Sequence, residues 1–286
     1  MESHAASAVP EYAAVVGAGD RLLVALDFDG TLAPIVDNPE VAAIHREAPD
    51  VLAGLAGQVR AVAVVTGRPA RQVLALGGLD DVGDAIGESG HELVVLGQYG
   101  NERWTSKARR VVSPKPPAGL ASLIGELPRL LRHAEATDAW IEEKGLAVAV
   151  HTRRMADPRG AFQRLLPVLT EAAEARHLTL EPGRLVIEIR SGDMDKGMAL
   201  RRLVGEYDVR GVVFVGDDLG DVPAFEAVAE LRDRGLPALL VCSGSDEEST
   251  LRDLADLVVP GPDGVMAFLR GLTADLAAAR NSRPGS

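Results

Sequence analysis

The stretch LLVALDFDGTLAPIVDNPE, Leu22 to Glu40, decides how the chain is read. Aliphatic residues from Leu22 to Leu26 lead directly into two carboxylates, Asp27 and Asp29, with one residue between them. A continuous apolar run of this length suits a strand buried on both faces, as in a parallel sheet. Two acids at the end of such a strand repel each other, and packing alone gives no reason to put them there. The positive charge that makes the pair tolerable has to come from elsewhere in the chain.

Two further runs share this design. VRAVAVVTGRP leads into Thr66, Gly67 and Arg68, and RGVVFVGDDLGD leads into Asp217, Asp218 and Asp221. HELVVLGQYG, ALLVC and DLVVPG read as additional strands. Helical patterns such as EAPDVLAGLAGQ and DKGMALRRLVGEY lie between them, and DGVMAFLRGLTADLAAAR reads as a closing helix. Strand and helix alternating in this way predict a doubly wound α/β parallel sheet with right-handed crossovers.

The middle of the chain breaks the alternation. After the Pro-rich SPKPPAGL comes a helix near residues 120–135, then the strands AWIEEKG and LAVAVHTR. A second helix near 158–176 and the strands HLTLEPG and RLVIEIR follow. The order is α-β-β-α-β-β, with Lys144-Gly145 and Pro182-Gly183 as hairpin turns. Short alternating strands predict a sheet with helices on one face only. The expectation is an inserted α+β domain at 113–190, within a core of 21–112 and 191–286, preceded by an N-terminal extension at 1–20. Within that extension, EYAAVV is either a short helix on the core or a tail, and the ends, Met1 to about Pro10 and Asn281 to Ser286, are expected to fray.

Composition narrows the function. The net charge is -12 and the pI is about 5.0, which argues against a general nucleic-acid or anionic-membrane binder. A small anionic substrate remains open where local cations gather it. The N-terminus has no basic segment followed by an apolar core, and no window approaches the ~20 apolar residues of a membrane span. The single cysteine, Cys242, rules out an intrachain disulfide and is read as a buried structural thiol in a cytoplasmic protein.

Ligands of open α/β sheets bind at the carboxyl ends of the strands. Asp27, Asp29, Thr66, Gly67, Arg68, Asp217, Asp218 and Asp221 all fall at such ends, and Lys196 sits near the start of a helix leading into the third run. Several clustered carboxylates cannot all stay ionised unless a cation joins them. Carboxylate and backbone oxygens suit Mg²⁺, which also bridges to substrate phosphate.

DFDGTL, VVTGR, DKG and VGDDLGD stand in the order and rough spacing of the four motifs of haloacid dehalogenase-type phosphatases, which the chain therefore resembles. The resemblance implies a Rossmann-like core of that type, with the inserted domain as its cap. It makes Asp27 the nucleophile that forms an aspartyl-phosphate, and Asp29 the acid and base that serves the leaving oxygen and then the water. It implies that Thr66, Gly67, Arg68 and Lys196 hold the phosphoryl group. Mg²⁺ would sit on the Asp27 carboxylate, the Asp29 backbone carbonyl and Asp217, with Asp218 and Asp221 in support.

A narrower resemblance concerns the substrate. DFDGTLAPIVDNP, GQYGNERW, IEEKGLAVAVHTR and IEIRSGDMDKG are similar to segments of trehalose-6-phosphate phosphatases, over most of Arg21 to about Leu272. On the cap hairpin, Glu142, Lys144, His151 and Arg153 would come toward one region, where carboxylates accept from sugar hydroxyls and cations donate. Glu102 and Glu188, at the two crossings between domains, would add acceptors. Each of these is equally readable as a solvated surface residue, and His151 as a packed strand residue. The chain departs from the family pattern at Gly220 and Val222, at Tyr99 in place of His, at HTR in place of HYR, and at IRSGD, which lacks a Pro after Arg190.

The leading expectation is a monomeric, cytoplasmic, Mg²⁺-dependent phosphatase that converts trehalose 6-phosphate to trehalose, with trehalose-6-phosphate synthase as the one protein partner considered. The alternatives are a phosphatase of sucrose phosphate, glucosylglycerol phosphate or another phosphosugar, a phosphotransferase, and a non-catalytic sugar-phosphate sensor. Against the sensor, Asp27, Asp29, Lys196 and Asp217 are all present.

Overall fold

The aliphatic runs conceal an alternation, because every position in them is apolar. It becomes visible once each strand has two sides. The computed structural model describes residues 9–36, 38–191, 194–244 and 249–282. In chain order the strands are β1 (Leu22–Leu26), β2 (Ala61–Val65), β3 (Leu93–Gly97), β4 (Glu102–Thr105), β5 (Trp140–Glu143), β6 (Ala147–His151), β7 (Leu178–Gly183), β8 (Val186–Ser191), β9 (Gly211–Gly216), β10 (Ala238–Gly244) and β11 (Leu257–Pro260). The helices are α1 (Pro10–Ala18), α2 (Ala48–Ala56), α3 (Ala70–Gly77), α4 (Leu79–Glu88), α5 (Ala118–His133), α6 (Pro158–Glu174), α7 (Lys196–Glu206), α8 (Val222–Asp233), α9 (Ser249–Leu254) and α10 (Gly261–Asn281). The chain divides into two compact units, 1–112 with 195–286, and 113–194.

In the first unit a seven-stranded sheet runs β11-β10-β9-β1-β2-β3-β4. Its pairings are parallel up to β3, and β4 is antiparallel to β3 at the edge. Leu22, Val24 and Leu26 of β1 enter one core, with side chains of α1, α2, α3, α4 and α10. Leu23 and Ala25 enter the other, with side chains of α7 and α8. Helices thus cover both faces, which is why these strands are apolar at every position.

Two local features refine the pattern reading. GQYGNERW contains a strand, β4, because Gln98 and Tyr99 both take positive φ, 49° and 59°, and turn the chain back along β3. Residues 10–18, within the stretch read as an extension, form α1. Its Tyr12 and Val15 are buried in the first core, and the Tyr12 hydroxyl donates to Asp275 Oδ2 at 2.6 Å. Much of the fraying expected at the two ends, and the two residues after Ser191 in IRSGD, lie outside the described residues. Cys242 is buried on β10, and burial pushes its thiol up to about 11.

The second unit holds a four-stranded antiparallel sheet, β5-β6-β8-β7. Val148, Val150, Ile187 and Ile189 share a core with side chains of α5 and α6. Intervening positions on β6 and β8, Ala147, Ala149 and His151 with Glu188 and Arg190, alternate to the opposite face. The first hairpin turns at Gly145, whose φ is +79°. The second turns at Arg184-Leu185 and not at Pro182-Gly183, which pair with Ile187 and Val186 inside the ladder. β7 is an edge strand, where a proline is tolerated.

Candidate active site

The parallel order of β9, β1 and β2 brings the ends of the three polar-tipped runs side by side. Asp27 extends the β1 ladder, its amide donating to the Val215 carbonyl at 2.9 Å. Lys196 begins α7, whose N-cap Asp195 accepts from the Met198 amide at 2.7 Å. A Cβ at Gly197 would lie 2.2 Å from the Pro223 carbonyl oxygen, so glycine there lets α7 approach the start of α8. The result is a buried Lys196 whose Nζ lies 2.7 Å from both Asp27 Oδ1 and Asp221 Oδ1. This supplies part of the positive charge that the Asp27–Asp29 segment requires.

The three acids of GDDLGD have separate tasks. Asp221 is fully buried, and its Oδ2 accepts from the Asp217 amide at 2.9 Å and from the Asp218 amide at 3.4 Å. Asp218 is exposed and turns its Oδ1 to the Gly220 amide at 2.9 Å, closing a capping box with Asp221. Asp217 is buried, and its Oδ1 has no hydrogen-bond partner. Gly30, with φ +68°, passes so close that a Cβ there would lie 1.9 Å from Asp217 Oδ2. The Ser243 hydroxyl, at the end of β10, donates to the Gly30 carbonyl at 2.6 Å and ties this loop down.

Asp27, Asp217, Asp218 and Asp221 place one carboxylate oxygen each within 4.8 Å of one another. Burial, and then the charges of Asp27, Asp218 and Asp221, push Asp217 up to about 10. Burial also raises Asp27 well above the usual carboxylate range, with Lys196 opposing the shift and Asp221 and Asp218 adding to it. Asp221 is raised by burial as well, against Lys196. Burial acts to lower Lys196, but the facing Asp221, Asp27 and Asp218 outweigh it and hold the proton more tightly than usual. One ammonium therefore faces four carboxylates. The orphaned Asp217 oxygen and the all-oxygen donor set fit a hard divalent cation.

Beside this cluster, the loop after β2 carries Thr66, Gly67 and Arg68. The Thr66 amide donates to the Leu96 carbonyl at 2.9 Å, and its hydroxyl oxygen accepts from the Arg68 amide at 3.2 Å. The Tyr99 amide donates to the Thr66 carbonyl at 2.9 Å, and the Tyr99 ring lies against Gly67. Arg68 makes a two-pronged ion pair with Asp29, whose carboxylate stands apart from the four-acid cluster. Glu102, at the start of β4, accepts from the Ala70 amide at 2.7 Å, at the first residue of α3.

The remaining residues lie in the second unit. Glu142 and Glu188 both pair across Ala149, so they stand on one face of that sheet. His151 Nε2 lies 3.0 Å from Glu142 Oε2, and Lys144 Nζ donates to Glu188 Oε2 at 2.6 Å. Glu188 Oε1 is buried without a partner. Arg153 does not join them: β6 ends at His151, and Arg153 is exposed in the following turn. Arg190 does join this face, and it bonds Glu181 and the Met194 carbonyl. Pattern reading passed over it, although it stands two residues beyond Glu188, on the same side of the strand. Ser243 was passed over too; its only signal was a polar residue ending an apolar run.

Comparison with known proteins matches the trehalose-phosphatase family profile to residues 25–259. A probable trehalose-phosphate phosphatase of Oryza sativa is 30% identical over 299 residues, covering 97% of this chain and 77% of that protein. An uncharacterized glycosyl hydrolase of Mycobacterium tuberculosis is 34% identical over 267 residues; this covers 90% of the chain but only 19% of that much longer protein. The C-terminal domain of a C. albicans trehalose-6-phosphate phosphatase has the same fold, with a TM-score of 0.74 at 18% identity, covering 93% of this chain and 97% of that one.

Proposed function

Because the chain belongs to the trehalose-phosphatase family, we propose that it hydrolyses trehalose 6-phosphate to trehalose and phosphate through an aspartyl-phosphate on Asp27. The observation that carries this reading is the buried triad of Asp27, Lys196 and Asp221 beside an Asp217 oxygen with no partner, at the carboxyl ends of parallel strands. The Asp27 and Asp217 carboxylates and the Asp29 carbonyl would hold a Mg²⁺, which would supply charge that keeps Asp27 ionised and offsets the charge of the phosphate oxygens.

The chain's own groups carry the steps. An Asp27 oxygen attacks phosphorus as the bond from phosphorus to the sugar oxygen breaks, and the Asp29 carboxyl gives its proton to that oxygen. Water then attacks phosphorus while the Asp29 carboxylate takes its proton; the bond to Asp27 breaks, and free phosphate and the starting carboxylate return. Lys196 and Thr66 hold charge and position during both transfers, which suits a loose transition state. Glu142, Lys144, His151 and Glu188 have the chemistry to read sugar hydroxyls. The reaction is placed in the cytoplasm, in a monomer supplied by the synthase. Among the described residues no helix is long and apolar enough to cross a membrane.

Phosphate release from trehalose 6-phosphate, sucrose 6-phosphate and glucose 6-phosphate, each with and without Mg²⁺, tests the assignment. Release from trehalose 6-phosphate alone, lost with EDTA, is the expected result. Asp27→Asn should lower kcat by at least about 10⁴-fold with an unchanged circular-dichroism spectrum. Normal turnover in that variant would remove Asp27 as the nucleophile. Release from a different sugar alone would overturn the substrate and keep the chemistry.

A further inference from the structure

Each of the three nitrogens of the Arg68 guanidinium donates a hydrogen bond. Its Nε donates to Asp29 Oδ2 at 2.5 Å and its Nη2 to Asp29 Oδ1 at 2.6 Å, so the planar fork meets both carboxylate oxygens. Its Nη1 donates to the Pro39 carbonyl at 2.8 Å, and its central carbon lies 5.8 Å from the centroid of the Phe28 ring, between the two acids in sequence. The backbone is anchored as well: the Arg68 amide donates to Thr66 Oγ1, and the Arg68 carbonyl accepts from the Gln98 amide at 2.9 Å. The side chain is only 13% exposed, against 37% for Asp29.

An arginine that reads phosphate presents a pair of N–H groups to two phosphoryl oxygens. Here the Nε/Nη2 edge is given to Asp29, and one nitrogen of the other edge to Pro39. Asp29 has no other side-chain cation at ion-pair distance among the described residues. We propose that Arg68 is a positioning residue for Asp29 and not a phosphate ligand. It fixes the carboxyl group that must reach first the leaving sugar oxygen and then the attacking water. This rests on the acid–base assignment of Asp29 made above.

A consequence separates the two roles. A phosphate ligand is needed whatever group departs, whereas a positioned acid is needed only when the departing oxygen must be protonated. A sugar alkoxide needs that proton; 4-nitrophenolate leaves without it. With 4-nitrophenyl phosphate, loss of Asp29 positioning should therefore spare formation of the aspartyl-phosphate and slow only its hydrolysis.

The test is rapid-quench and stopped-flow kinetics of wild type, Arg68→Ala, Arg68→Lys, Asp29→Asn and the Arg68→Ala/Asp29→Asn double variant, with orthovanadate inhibition alongside. In Arg68→Ala, trehalose 6-phosphate cleavage should fall about 30- to 100-fold, part of what a general acid contributes. The same variant should show a burst of 4-nitrophenolate slowed less than about threefold, followed by slow turnover. Its vanadate affinity should stay within about threefold of wild type, and the double variant should be no more than about twofold slower than Asp29→Asn. Arg68→Lys keeps the charge without the fork, so it should behave like Arg68→Ala; it also serves where the alanine variant folds poorly.

Equal losses with both substrates, together with a matching loss of vanadate affinity, would make Arg68 a phosphate ligand and overturn the inference. So would full additivity with Asp29→Asn. Should wild type hydrolyse another phosphosugar in place of trehalose 6-phosphate, the comparison runs with that sugar. Failure of the substrate assignment and failure of the Arg68 role are thus distinguishable.

Discussion

Asp217 and Asp218 are neighbours in sequence with opposite surroundings: one carboxylate is buried with a bare oxygen, the other is exposed and bonded to its own turn. The sequence shows two identical acids, and only the path of the backbone distinguishes them. Asp221, which reads as a supporting residue, is the buried partner of both Lys196 and the Asp217 amide. Gly30 matters for a similar reason, since its left-handed backbone leaves no room for a side chain beside Asp217. Gly30→Ala should cost about 1–3 kcal/mol and displace the Asp217 carboxylate. Thermal unfolding and a Mg²⁺ titration of activity check this. A variant that matches wild type in both would mean that Gly30 is not what sets the Asp217 position.

At the scale of elements, the loop after β2 that carries Thr66, Gly67 and Arg68 is steadied from a distance. α3 follows it with Pro69 at the N-cap and no capping side chain of its own. Glu102, from β4, supplies the missing acceptor to the Ala70 amide, where an acid also suits the helix dipole. β4 exists only because Gln98 and Tyr99 turn the chain back, a conformation that no residue type there announces. Glu102→Ala should therefore lower stability by about 1 kcal/mol, and Glu102→Gln by less. Chemical denaturation measured together with KM decides the role. A tenfold rise in KM with stability unchanged, roughly 1.4 kcal/mol of lost binding, would instead make Glu102 a ligand of the sugar.

At the scale of the whole molecule, the second unit has a core of its own. Leu123, Leu127, Leu165 and Leu169 of α5 and α6 pack with the apolar face of its sheet. A fragment of residues 113–194 should fold alone and unfold cooperatively, with a stability of about 3–5 kcal/mol for so small a core. Differential scanning calorimetry of the isolated fragment is the check; a flat trace would mean that this core depends on the rest of the chain. The first unit, by contrast, is assembled from segments far apart in sequence: α1 packs its Tyr12 ring edge-on to Phe268 of α10, at 6.3 Å between centroids.

The sequence by itself determined the class of fold and named the candidate reacting groups. Short apolar runs rich in Val and bounded by turn residues suit strands buried on both sides, and packing alone gives no reason for acids, Thr-Gly-Arg and Lys at their ends. Short-range pattern was sufficient for that, because strand burial and hydrophobic period are local properties. What tertiary structure alone decided was partnership. Arg68 takes Asp29, Lys196 lies between Asp27 and Asp221, Glu102 caps α3, and Asp217 keeps an oxygen bare. Each of these joins residues from different elements, or depends on how one backbone turn is buried. A linear pattern of residue types carries no distance between such groups; only the packed sheet, with its strand order set by crossovers, brings them within hydrogen-bond reach.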